Sequence, residues 1–359
     1  MLQISVSFLR NLLLPSLGLL AGSLVPAIAQ SVPHTALLAG NHIPTYRTDS
    51  TSQPLTKTAL AAVWRRNHAF LDNAAARPAG AARNWADSTA AVPRHRLPLL
   101  LGGIGASYGG LYYALGQSWY TGEKARFRWF DDSREWKQLD KAGHFWGAFH
   151  ESRGTIDMLR WAGVADNKAI LYGSLAGFLI QSPIEYFDGR DPDYGASATD
   201  LAANFLGSAG VLAQELAWRE VRIMPKISFR LTPYAQRRPN VLGSTFPERL
   251  LKDYNGQTYW LCTDVGAFLP AESRWPRWLQ PALGYGGQQL VYNDPDASRL
   301  AGLRPYRQYY LSLDVDLRRI PTRSKTLRRV FYALSIFHLP APALELNNRR
   351  GLVLHGLYW

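Results

Sequence analysis

The sequence predicts an α+β protein, in which a helical bundle of about four or five helices is followed by an antiparallel β-sheet region. Long apolar segments that are rich in glycine lie within residues 96–222. Shorter segments, in which apolar and polar residues alternate, follow after Arg222, and this period of two is typical of strands. The chain has 359 residues, of which 47% are hydrophobic, so it can bury a sizeable core.

Residues 1–29 have the features of a secretory signal peptide. Arg10 supplies positive charge, an apolar stretch runs from Asn11 to Pro26, and Ala27-Ile28-Ala29 is an A-x-A cleavage sequence. An uncleaved anchor is the alternative, but the apolar run is short for a membrane-spanning helix. We therefore expect an exported protein of the periplasm or outer membrane. No cysteine lies near the cleavage sequence, so lipid attachment at a new N-terminus is not expected.

Three further regions are expected after the signal peptide. They are an N-terminal extension with one helix (30–95), the helical bundle (96–222) and the strand-rich C-terminal region (223–359). Leu97–Gly122 contains 26 residues without a charge, which is long enough to span a bilayer. The alternative is a buried helix in a soluble bundle.

Glycines in the bundle predict close contacts between helices. Gly105-x-x-x-Gly109 and Gly173-x-x-x-Gly177 have the spacing of such contacts, and Gly207 is a further small residue in a helical segment. Asp166-Asn167 is the expected start of a helix that we expect to break near Pro183. Ser197 or Thr199 is expected to cap the helix that follows it.

The C-terminal region contains five or six candidate strands and one short helix. Thr245-x-x-Glu248 predicts a capping box at the start of that helix. The clearest strand lies within Arg307–Leu317, where Leu311 and Leu313 alternate with Ser312 and Asp314. This alternation predicts a sheet with its apolar face on the core and its polar face in water.

Polar residues interrupt three helical segments that are otherwise apolar. The pairs Asp140/His144 and Asp200/Asn204 are each spaced by four, so each pair shares a helix face. The polar cluster that we single out consists of Asp140, Lys141, His144, Glu185, Asp188, Asp200 and Asn204.

Three motifs in this order resemble those of the YfiM-type family of bacterial periplasmic or outer-membrane lipoproteins, which is distantly similar to the VanZ-like membrane proteins. They are Asp140-Lys141-x-x-His144, Ile184-Glu185-x-x-Asp188 and Ser197-x-x-Asp200-Leu201-x-x-Asn204-x-x-Gly207. The resemblance covers residues 139–210 and implies an envelope protein of a Gram-negative bacterium, with a VanZ-like helical bundle. It implies no reaction, because the family is a domain of unknown function. This chain differs from the lipoprotein members in lacking a lipobox cysteine.

The polar cluster has two interpretations. In the first, its members cap helices and form a buried hydrogen-bond network, since buried polar groups need partners. In the second, His144, Glu185, Asp188 and Asp200 bind a divalent metal such as zinc or manganese, or His144 acts with Asp140 or Glu185 in acid/base chemistry. No motif places a serine or cysteine nucleophile beside them, and we assign no catalytic residue and expect no cofactor under the first interpretation.

The net charge of +13 is compatible with nucleic acid or with anionic lipid. The basic residues are scattered, and no nucleic-acid-binding module is present. The expected partner is therefore a membrane or an envelope lipid, and an envelope protein is a further possible partner. We expect a non-enzymatic, membrane-associated structural or binding protein; the alternative is an envelope lipid or glycan hydrolase or transferase that uses the polar cluster. His150 and Cys262 are expected to be ordinary structural residues.

Overall fold

The computed structural model describes residues 93–118, 124–192, 194–270 and 272–359. The expected signal peptide and the helix expected in the N-terminal extension lie outside these residues. Within them, helices are followed by one six-stranded antiparallel sheet, which confirms the α+β class. The α-helices are α1 (Arg96–Ser118), α2 (Leu139–Trp161), α3 (Asp166–Gly189), α4 (Ala198–Trp218), α5 (Pro239–Leu242), α6 (Phe246–Lys252), α7 (Pro295–Leu300) and α8 (Lys325–Leu334).

Helices α2, α3 and α4 pack closely on one another at glycines. A Cβ atom added at Gly173 would lie 2.6 Å from Ile156 Cγ1, and one added at Gly177 would collide with the carbonyl oxygen of Ala148. At Gly207 the added atom would collide with the backbone of α2. The absence of a side chain at these three positions is therefore what allows the helix backbones to approach.

Helix α1 is attached more loosely. Its Tyr112 hydroxyl donates a hydrogen bond to the carbonyl oxygen of Ile180 in α3 (2.8 Å), whereas Leu99 and Tyr113 are exposed. An added Cβ would meet nothing within 4 Å at Gly105 or Gly109, so the expectation of a close contact at this pair is wrong. In the described part of the chain, no helix combines the length and the apolar character needed to cross a membrane.

The ends of the helices agree with the sequence in part. Ser197 caps α4 by accepting a hydrogen bond from the Asp200 amide (3.0 Å), as predicted. Helix α3 is preceded by Ala165, whose side chain makes no cap, and Asp166 lies in its first turn instead. The break expected near Pro183 is also wrong, because α3 continues through it to Gly189.

The sheet has the strand order β1-β2-β3-β4-β5-β6, and every pair of neighbours is antiparallel. The strands are β1 (Ile223–Phe229), β2 (Gln257–Thr263), β3 (Leu279–Gln288), β4 (Tyr306–Val315), β5 (Ala341–Asn347) and β6 (Gly351–Tyr358).

The predicted capping box is present at the start of α6. The Thr245 side chain accepts a hydrogen bond from the Glu248 amide, and the Glu248 side chain accepts one from the Thr245 amide.

The polarity of the sheet is the reverse of the one that we expected. The alternation in β4 is present, but Leu311 and Leu313 are about half exposed, while Ser312 and Asp314 are buried. The prediction of a polar face in water is therefore wrong for this strand. The reason is that the polar side chains bond to one another inside the fold, which satisfies their hydrogen-bonding groups without water.

The buried polar face contains ion pairs and hydrogen bonds between strands. Lys226 Nζ of β1 lies 2.5 Å from Asp314 Oδ2 of β4, and both side chains are almost completely buried. Gln280 on β3 donates to the carboxylate of Asp316 (3.1 Å). Although burial by itself raises the pKa of Asp316, the adjacent Arg318 guanidinium lowers it to about 2.

The sheet is strongly curved, with this polar face on the concave side. The hydroxyls of Thr258 in β2 and Tyr358 in β6 are 3.0 Å apart, although these strands would be about 19 Å apart in a flat sheet. Residues 335–338, which follow α8, lie against the same face, where the His338 ring stacks on Trp260 with ring centres 3.9 Å apart. Sequence reasoning missed α8, whose basic residues we had counted among the scattered basic residues of the chain.

One core joins the helices to the sheet. Trp146 of α2, Ile227 of β1 and Tyr259 of β2 belong to the same buried apolar cluster. Helix α2 thus connects the first strands of the sheet with α3 and α4, and it carries three of the seven residues of the polar cluster, Asp140, Lys141 and His144.

Candidate functional site

The polar cluster lies at one end of the bundle formed by α2, α3 and α4. Because successive helices run in opposite directions, the beginnings of α2 and α4 and the end of α3 meet at this end. The first turns of α2 therefore bring Lys141 and His144, the end of α3 brings Glu185, and the start of α4 brings Asp200. The helix N-termini also favour the negative charge of Asp140 and Asp200 in their first turns.

Lys141 is at the centre of a group of carboxylates. Its ammonium lies 2.7 Å from Asp140 Oδ2 and 2.9 Å from Asp200 Oδ1, and it also contacts Asp132. The lysine side chain is 13% exposed, whereas those of Asp140 and Asp200 are 2% exposed or less. Lys141 is thus a nearly buried cation that holds α2 and α4 to the segment before α2.

Asp132 is a member of this group that sequence reasoning missed. It lies in a stretch of charged and aromatic residues, a composition typical of an exposed connector, yet it is buried. Its Oδ1 accepts hydrogen bonds from the hydroxyls of Ser197 (2.7 Å) and Thr199 (2.9 Å) at the start of α4. The sequence did contain a signal for a further buried acceptor. Ser197 and Thr199 offer two hydroxyls, whereas one helix cap needs only one of them.

The carboxyl groups carry more negative charge than one lysine can balance. Burial, followed by the nearby charge of Asp200, raises the pKa of Asp140 and Glu185 well above their ordinary values. Burial alone would lower the pKa of Lys141, but the carboxylates of Asp140, Asp200 and Asp132 raise it above its usual range. The site therefore favours taking up a proton or a further cation.

His144 lies beside this group and is fully buried. Its Nδ1 is 3.0 Å from the side-chain oxygen of Asn204. Since an amide oxygen can only accept, Nδ1 carries the hydrogen of this bond. The other ring nitrogen, Nε2, points toward Glu185 Oε1 (3.9 Å) and Asp200 Oδ2 (3.8 Å), which are beyond hydrogen-bond distance.

His144, Glu185 and Asp200 could each offer one ligand atom to a metal ion, and these atoms lie within 4.8 Å of one another. Asp132, Asp140 and Asp200 form a second such group, in which Lys141 already contacts all three carboxylates. Asp188, which we also predicted as a ligand, is buried and interacts electrostatically with Glu185, but it belongs to neither group.

The part of the cluster around His144 is closed to solvent. The side chains of His144, Glu185 and Asp200 are at most 2% exposed, and Glu185 accepts a hydrogen bond from the Ser197 amide (2.9 Å) through its Oε2. The arrangement can hold a cation or a proton between helices.

The two residues that we expected to be structural lie away from the cluster. His150 is buried on α2, with Nε2 2.7 Å from the carbonyl oxygen of Pro225, and burial, aided by Arg153, lowers its pKa to about 3. Cys262 is buried in β2, and burial raises the pKa of its thiol. A neutral histidine and a protonated thiol are typical of core positions.

A comparison with protein families finds a match to part of this chain. Residues 128–214, which contain the whole cluster, match a family model described as "Predicted periplasmic lipoprotein (DUF2279)". No curated protein and no solved structure matches the chain. The matched segment supports an exported, periplasmic protein of the cell envelope whose domain has no known function.

Proposed function

We propose that this chain is a non-enzymatic, membrane-associated structural or binding protein of the cell envelope, and that the convex face of its sheet lies against lipid. The observation that carries the proposal is the reversed polarity of the sheet, with apolar side chains outside and ion pairs inside. The resemblance of the three motifs to YfiM-type and VanZ-like proteins supports the same location.

The convex face is apolar across five neighbouring strands. One cross-strand row contains only leucine, and the next combines tyrosine and leucine. Most of these side chains are 40–80% exposed, and contiguous apolar surface of this kind marks an interaction site. The rows are Leu261, Leu283, Leu311, Leu344 and Leu354, and Tyr285, Tyr309, Leu346 and Leu352.

Lipid fits this surface better than a protein partner because of what borders it. Exposed tryptophans, Trp278 and Trp359, lie at one end of the strands, and aromatic residues of this type favour the membrane–water interface. The other end carries Arg304, Arg349 and Arg350, all exposed. Together with the net charge of +13, these arginines complement anionic headgroups.

The buried polar cluster supports the non-enzymatic part of the proposal. A hydrolase or transferase needs a path by which substrate reaches its acid or base, and the described residues leave His144 and Glu185 without exposed surface. The network of Lys141 with three carboxylates accounts for these polar residues as a device that fixes the positions of three helices.

Vesicle flotation tests the lipid contact. The purified protein should float with vesicles of phosphatidylethanolamine and phosphatidylglycerol. Leu354→Asp, on the last strand of the apolar face and 76% exposed, should lower the partition coefficient at least about tenfold, because it removes a leucine from lipid and adds a charge. Leu300→Asp is the matched control, since Leu300 is 84% exposed but lies on α7, outside the sheet. Equal partitioning of the two variants, or no flotation of the wild type, would refute the proposal.

A further inference from the structure

We propose that His144, Glu185 and Asp200 bind one divalent transition-metal ion, for which Zn²⁺ and Mn²⁺ are the best candidates, between helices α2, α3 and α4. This site is independent of the lipid contact proposed above. The direction in which His144 points, the spacing of the three side chains and the position of Lys141 beside them support this site.

The orientation of His144 leaves its second ring nitrogen available to a ligand. Its Nδ1 hydrogen is used by the Asn204 oxygen (3.0 Å), so in the neutral ring Nε2 carries a lone pair. That nitrogen is fully buried and has no hydrogen-bond partner in the described residues, and the same is true of Glu185 Oε1. Two electron-pair donors thus face each other across 3.9 Å, which is unfavourable unless a proton or a metal cation lies between them.

The spacing is close to that of a metal site. Nε2 of His144 lies 3.8 Å from Asp200 Oδ2 and 3.9 Å from Glu185 Oε1. Tetrahedral ligands about 2.1 Å from zinc are about 3.4 Å from one another, so these two distances need to shorten by only about 0.4–0.5 Å to match a zinc site. All three potential ligand atoms lie within 4.8 Å of one another. One imidazole and two carboxylates form a donor set suited to Zn²⁺ or Mn²⁺. The hydrogen bond to Asn204 then holds the ring in the tautomer that binds metal through Nε2.

The neighbouring position shows how the protein fills a cation site of this kind. The ammonium of Lys141 contacts Asp132, Asp140 and Asp200. Asp200 belongs to both groups: its Oδ1 contacts Lys141 (2.9 Å) and its Oδ2 faces His144 (3.8 Å). The chain thus supplies a cation for one group of donors, and a metal ion would supply it for the other.

Zinc binding to the purified full-length chain tests the proposal. After treatment with EDTA and dialysis, titration with Zn²⁺ or Mn²⁺ should show one ion per chain, and the melting temperature should rise with the ion concentration. His144→Gln and Glu185→Gln keep the side-chain volume close to the original and should each weaken binding by at least about 100-fold. His355→Gln is the matched control, because it removes a histidine that lies 2.7 Å from a carboxylate, that of Glu345, on the sheet; it should bind as the wild type does.

A second measurement needs no variant. In protein labelled with ¹⁵N at histidine, Zn²⁺ should shift the Nε2 resonance of one histidine while its Nδ1–H is retained. Unchanged histidine spectra at saturating Zn²⁺, or equal binding by the wild type and both cluster variants, would overturn the metal site and leave the lipid proposal untouched.

Discussion

Lys141 shows how a single side chain can determine the stability of the bundle. Its positive charge contacts three buried or nearly buried carboxylates from two helices and from the segment that precedes them. Taking these groups out of water is costly, and their attraction in a medium of low dielectric constant compensates only while the set is complete. Removing the cation therefore lowers the free energy of unfolding by much more than the complete network adds to it.

We predict that Lys141→Met lowers the free energy of unfolding by about 3–5 kcal/mol, because it leaves buried carboxylates without a counter-charge. Urea unfolding at neutral pH measures this. Arg299→Met is the control: Arg299 pairs with Asp296, but both side chains are more than 60% exposed, so its loss should cost less than about 1 kcal/mol. Similar losses for the two variants would show that the Lys141 network is as weak as a surface pair.

Glu135 makes stability depend on pH. It lies just before α2 and accepts a hydrogen bond from Asn293 (2.8 Å). Burial raises its pKa from 4.5 to about 7. A raised pKa in the folded state means that folding favours the protonated carboxyl, so its contribution to stability is complete below pH 4.5 and is lost as the pH rises through about 7.

We predict that Glu135→Gln removes this dependence. Across the interval from pH 4.5 to pH 7 and above, the wild type should lose about 3 kcal/mol that the variant does not lose. Urea unfolding of both proteins at several pH values gives the difference directly, so contributions from other carboxyl groups cancel. Parallel profiles would contradict the role of Glu135.

At the scale of the helix, the contacts at glycine set the distance between α2 and α3. Gly177→Ala places a methyl group against the Ala148 carbonyl of α2, and we predict a loss of about 1–3 kcal/mol in the free energy of unfolding. Thermal or urea unfolding measures it.

Gly154→Ala serves as the comparison, because Gly154 lies on α2 with nothing within 4 Å of an added Cβ. It should stabilise the protein by about 0.5–1 kcal/mol, since alanine is the better helix former. Destabilisation by both substitutions would mean that the close approach of α2 and α3 is not the cause.

The strands show what a local pattern can and cannot predict. The alternation in β4 correctly predicted a strand, because a period of two follows from backbone geometry alone. It did not predict which face is buried, because that depends on partners far along the chain, such as Lys226 for Asp314. The usual rule assigned Leu311 to the core, whereas it is 53% exposed.

For the whole molecule, the sequence predicted the α+β class and the position of the polar cluster, since both follow from patterns within short segments. It did not predict that Asp132 belongs to that cluster, because the hydrogen bonds from Ser197 and Thr199 to Asp132 join residues more than 60 positions apart. Asp188, which belongs to the same sequence motif as Glu185, lies outside both groups of potential ligands. Spacing thus placed residues on one helix face, and only the packing of three helices decided which of them meet.

The order of the strands has a consequence for how the protein forms. Every strand pairs with its neighbour in sequence, so the sheet can grow one strand at a time in chain order. Tyr358, near the end of the last strand, then reaches Thr258 and Tyr310 and holds the curved sheet in shape. We expect the curvature of the sheet, and with it the burial of the charged side chains on the concave face, to form last.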